Sequence, residues 1–154
     1  MTTDVVDGDE LIETAYPTAG PHSLDLMASA GVALHKLVRF LNYATLPENR
    51  GAALPYASDA YRICGSLRQA ATLQQQLYNQ LAQRCDEFAR DPVLGHAEHR
   101  REEINHSAAM EATEEAARAF RSAAGHSSEL TAWLDAAHAA LAPLYHDIEE
   151  GDGD

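Results

Sequence analysis

Residues 56–90 carry the pattern that most limits what this chain can fold into. Ala60, Leu67, Gln74, Leu81 and Phe88 recur at intervals of seven. Ile63, Ala70, Leu77 and Arg84 repeat that interval three places on, and Cys64, Ala71, Tyr78 and Cys85 repeat it one place further. Side chains that return every three or four positions share one face of an α-helix. The three sets therefore form a broad apolar sector of the kind a bundle helix turns towards a core. Gln74 and Arg84 are its polar exceptions. A helix over this stretch is about 52 Å long at ~1.5 Å per residue, so a domain built around it is elongated.

Three other stretches share the helical period. In 23–46, Leu24, Met27, Gly31, Leu34, Val38 and Leu41 make one stripe, and Leu26, Ala30, Ala33, Leu37 and Phe40 make a second beside it. Ser23 is a suitable N-cap, Asp25 favours the positive end of the helix dipole, and Pro47 disfavours helix just before it. Apolar residues then cover more than half of the circumference, which suits a helix at the centre of a bundle or one covered by another subunit. Residues 47–55 read as a loop. In 96–124 the stripe is thin and mostly alanine: Ile104, Ala108, Ala112, Ala116, Phe120 and Ala123. Gly125 suits the position just past a helix end. In 128–148, Leu130, Leu134, Ala137, Leu141, Leu144 and Ile148 repeat, and Pro143 predicts a kink or break near 139–143. No segment alternates with period two for long enough to make a strand. The expected fold is all-α: an elongated antiparallel bundle of about four helices (23–46, 56–90, 96–124 and 128–148), with disordered acidic segments at 1–22 and 149–154.

The net charge of −13 is unevenly placed. Asp4, Asp7, Asp9, Glu10 and Glu13 precede the first expected helix, and Asp147, Glu149, Glu150, Asp152 and Asp154 close the chain, with no Lys or Arg in either run. The intervening body is nearly balanced. Acidic ends confer solubility or meet a basic partner, and they argue against binding phosphate backbones, so no nucleic-acid partner is expected. Cys64 and Cys85 on one helix are about 31 Å apart, too far to bridge within the chain. They read as free thiols of a reducing compartment. No basic-then-apolar leader and no long apolar run occurs, so no membrane is expected and the cytoplasm is the expected location.

Chemistry is thinly signalled. Glu103 and His106, three apart on a helix, match the spacing of carboxylate-bridged di-iron bundles, and Asp135 and His138 echo it. The two further carboxylates such a site needs are missing from the middles of 23–46 and 56–90, so no metal or other cofactor is expected. His96, His99 and His106 share a face if 96–124 is helical, but zinc wants a fourth ligand that the sequence does not identify. The cysteines lie on an apolar face and read as inert, and no nucleophile elbow, phosphate loop or dinucleotide fingerprint occurs. The helices are too long and too poor in clustered basic residues for a helix-turn-helix reader. Gln74, alone among the glutamines of 69–83, falls on the core stripe, where a polar side chain fixes register or partner choice. The expectation is a non-enzymatic helical interaction or scaffold protein that self-associates, with Leu26, Ala30, Leu37, Phe40, Gln74 and Leu81 at the contact. Two alternatives stand beside it: an acidic, antitoxin-like regulator of a basic partner, and a ferritin-like metal-binding protein.

Overall fold

The computed structural model describes residues 7–145, which are all-helical, with no strand among them. The chain divides into two compact units between Pro55 and Tyr56.

The first unit contains α1 (Gly8–Ala15), α2 (Leu24–Ala44) and the single turn α3 (Arg50–Ala53). Helix α1 corrects the expectation of disorder for the described part of 1–22. Its cause is local: the Asp7 carboxylate accepts from the Asp9 N–H at 2.9 Å, Asp9 and Glu10 sit in the first turn, and Glu13 accepts from both the N–H and the hydroxyl of Thr18 at 2.9 Å. The first bond satisfies an N-terminal donor that a short helix otherwise leaves open, and the Glu13 bonds tie down the chain just past the helix end. Residues 1–6 and 146–154, which hold the last three residues of the expected helix 128–148 and the expected acidic tail at 149–154, lie outside the described residues. Helix α2 starts where its cap predicts: the Ser23 hydroxyl accepts from the Leu26 N–H at 3.1 Å. It ends at Ala44, three residues before Pro47, where Thr45 bonds back to the Leu41 and Asn42 carbonyls.

The second unit is an antiparallel hairpin of two long helices, α4 (Ala57–Phe88, 32 residues) and α5 (Asn105–Leu141, 37 residues). Helix α4 matches the heptad reading to within two residues at each end. At its start the Asp59 carboxylate reaches back to the Tyr56 N–H at 3.0 Å. The two helices meet along a line of small residues: Cys64, Ala71 and Ala82 from α4, and Ala109, Ala117, Ala124 and Ser127 from α5, all buried. Ala117 has no exposed surface at all. Alanine against alanine lets two backbones approach closely, and dispersion then acts along the whole contact although each side chain buries little area. Cys64 directs its thiol to the Leu134 carbonyl at 3.4 Å, and the Tyr61 and His138 rings stack with centroids 3.9 Å apart. Gly65 makes that stack feasible, because a Cβ there would lie 3.2 Å from His138 Nε2. Arg68 pairs with Asp135 at 2.9 Å, and Arg121 pairs with Asp86 further along. Both pairs are partly exposed, so each contributes about 0–1 kcal/mol. Their placement still favours the antiparallel register.

Two expected helices, 96–124 and 128–148, are replaced by one. Gly125 and Ser127 lie inside α5, and Gly125 has no positive φ. A glycine at a helix end takes the left-handed conformation, but here the flanking residues keep the ladder running through it. Pro143 does set the end: α5 stops at Leu141, as expected for a residue pair before proline. The start at 96 fails for a different reason. Residues 96–104 form a chain of turns, with the N–H groups of His99, Glu102 and Asn105 each bonded three residues back. The Asn105 side chain takes the His96 N–H, and His106 Nδ1 bonds the Leu94 carbonyl at 3.0 Å. These side chains compete with the helical ladder for the same backbone groups and win.

This arrangement predicts the effect of one substitution. An added Cβ at Gly125 meets nothing within 4 Å, so Gly125→Ala should raise stability by about 0.5–1 kcal/mol through helix propensity. Urea denaturation would read it. A loss of stability would mean that Gly125 ends a helix after all.

Candidate interaction surface

Helix α4 has an apolar sector wide enough for two neighbours, and α5 occupies only one side of it. The stripe that faces α5 runs through Cys64, Ala71, Tyr78, Ala82 and Cys85. About 100° around the helix, at ~100° per residue, the Leu67, Ala70, Gln74, Leu77, Leu81 and Phe88 stripe runs parallel to it. Leu67, Leu77 and Phe88 are exposed there, and Gln74 and Leu81 are half-buried. Leu73, just beyond this stripe, is 66% exposed. At the C-terminal end Arg84 ion-pairs with Glu87 at 2.6 Å, and its guanidinium lies over the Phe88 ring at 4.2 Å. That explains one polar exception in the heptad: Arg84 shields an aromatic at the seam's end. Helix α5 continues the apolar flank with Leu130 and with Trp133, which is 75% exposed.

In the first unit, α2 has no buried residue. Leu37 and Phe40 are exposed, and Leu26 and Ala30 are half-buried. Helix α1 reaches α2 through the Tyr16 hydroxyl, 3.1 Å from Ser29 Oγ. The broad apolar girth read from the sequence is therefore present as accessible surface on α2, with Leu24 82% exposed at its start.

The residues considered for a di-iron site do not converge. Glu103 lies in the turns before α5, His106 in its first turn, and Asp135 and His138 near its far end. His106 and Asp135 are separated by about 43 Å along one helix. Asp135 is engaged with Arg68, and His138 stacks on Tyr61. Two halves on separate antiparallel helices could face each other, but the unbroken α5 carries both and removes that geometry. Both cysteines are free, Cys64 buried and Cys85 half-buried. A thiol reagent added to the native protein should modify Cys85 first and reach Cys64 only on unfolding. Equal rates at the two would contradict the close α4–α5 packing. No helix of the described residues is long and apolar enough to cross a membrane.

Comparison with family models, with curated proteins and with solved structures finds no match to this chain.

Proposed function

We propose that this chain is a helical interaction module that associates with a second copy of itself through the open stripe of α4. The observation behind this reading is the pairing of two facts about one helix: its apolar sector spans two contact faces, and α5 covers one. Large side chains left on an ordered, regularly spaced stripe mark an interaction site rather than incidental exposure.

A second copy suits the stripe because the stripe is nearly symmetrical about the helix's own middle. Gln74 lies close to the midpoint of α4, with Leu67 and Leu81 seven residues to either side. In a two-fold antiparallel pairing a patch must meet itself. The two Gln74 amides then lie near the axis, where each can donate to and accept from the other. A lone amide in an apolar seam costs stability unless it is so paired. Two hairpins joined in this way make a coiled-coil-like four-helix core from two chains.

Light scattering on the eluted full-length chain tests the proposal. The expected mass is twice 16.7 kDa, with melting temperature rising with protein concentration. A mass of one chain across the micromolar range would overturn it.

A further inference from the structure

The turns that join α4 to α5 bring together a donor set that the interaction reading does not use. His96, Glu98 and His99 each offer a ligand atom, and these atoms lie within 4.8 Å of one another, the one such group of three among the described residues. The His96 and His99 rings are 5.1 Å apart between centroids. The His99 N–H bonds the His96 carbonyl at 3.2 Å, so a single turn holds both imidazoles on one side.

The surroundings orient these donors. His99 Nδ1 lies 3.2 Å from Glu102 Oε2. A proton on Nδ1 bonds that carboxylate and leaves the Nε2 lone pair available to an ion, the carboxylate–histidine arrangement that supports metal-bound imidazoles. On the other side, the Asn105 side chain takes the His96 N–H. Gly95 leaves room for that amide, since a Cβ there would lie 3.1 Å from it. His106 fixes the Leu94 carbonyl. The contact of the Glu98 N–H on His96 Nδ1 is 3.3 Å long, weak enough to yield to a cation on the ring. The first turn of α5 thus pins the segment on which the donors stand.

We infer that His96, Glu98 and His99 form a binding site for a divalent zinc-class ion, with Glu102 orienting His99. Two imidazoles and one carboxylate are a donor set that zinc accepts, at metal–ligand distances of about 2.0–2.2 Å. Donors at those distances in a tetrahedron are roughly 3.3–3.5 Å apart. Rotation of the two half-buried rings and of the exposed Glu98 side chain closes the remaining gap. Three ligands leave the fourth position of the tetrahedron to water. The bound ion clips the turns between the two long helices and stands apart from the α4 stripe.

The test uses the full-length chain without an affinity tag. Zinc is titrated by calorimetry, and cobalt serves as an optical probe of coordination. Saturable uptake of one ion per chain is expected, with the visible absorption of four-coordinate cobalt. His96→Ala and His99→Ala should each weaken binding at least 10-fold. Glu102→Gln should weaken it about 10-fold while leaving the three ligands in place. His126→Ala, on the body of α5, should leave binding unchanged. Circular dichroism of each variant should retain the helical signal, because His96, His99 and Glu102 lie in turns and alanine at the exposed position 126 suits a helix interior. Absence of saturable uptake by the wild type would overturn the inference. So would equal affinity in the wild type and His99→Ala, since any ion bound would then sit on other histidines. Neither result bears on the self-association of α4, which light scattering reads independently.

Discussion

Replacing Ala117 with leucine is expected to destabilise the hairpin by about 2–3 kcal/mol. Ala117 is fully enclosed, and it faces a helix whose own contact residues, Ala71 and Ala82, are 2% exposed. Three extra carbons have nowhere to go unless α4 and α5 separate, and separation loosens the contacts of every neighbouring small residue. The matched control is Ala119→Leu, on the exposed side of the same helix. Alanine and leucine differ little in helix propensity, so that variant should stay within about 0.5 kcal/mol of the wild type. Urea denaturation followed by circular dichroism checks both. Two variants of equal stability would mean that the alanine line is not a packed interface.

The seam of α4 should respond in the opposite way, losing association while keeping the fold. Leu77→Glu places a carboxylate on the open stripe. Leu77 is already exposed within the hairpin, so the monomer loses little. Across a two-fold interface each substitution counts twice. Two buried leucines are worth about 4 kcal/mol together, which corresponds to about 1,000-fold in the dissociation constant. Sedimentation equilibrium should show dimer for the wild type, monomer for Leu77→Glu, and an unchanged dimer for Gln76→Glu, which lies off the stripe. Gln74→Leu should tighten association, because an apolar seam without a polar layer binds more strongly and less selectively. An unchanged mass for Leu77→Glu would remove α4 from the interface.

How legible this structure is in the sequence depends on whether the deciding interaction is local. The Ser23 cap, the end of α2 short of Pro47, and the stop before Pro143 follow from residues within a few positions of one another, and all are as expected. The extent of α4 follows from its period. Gly125 shows where local reasoning divides. Glycine is as compatible with a helix end as with a helix interior, and what decides is the continuous contact of Ala117, Ala124 and Ser127 with α4. The turns at 96–104 are built from good helix formers, yet Asn105 and His106 reach back nine and twelve residues to claim the backbone first. Heptad counting finds the apolar sector of α4 but does not say which side of it α5 takes. The donor cluster was half visible: His96 and His99 stand out in the sequence, but a helical spacing pairs them with His106. The turn instead brings Glu98 to them and sends His106 to a carbonyl.

The open stripe on α4 depends on α5 being one rod, because a helix that turned back after Gly125 would supply the missing neighbour from within the chain. A pulsed electron spin resonance distance between nitroxides at positions 114 and 136, both exposed, measures this in a chain whose two native cysteines have been replaced. The unbroken helix predicts a narrow distribution near 33 Å, from twenty-two residues at ~1.5 Å each. A dominant population below about 20 Å, the separation of residues on neighbouring antiparallel helices ~10 Å apart, would contradict it.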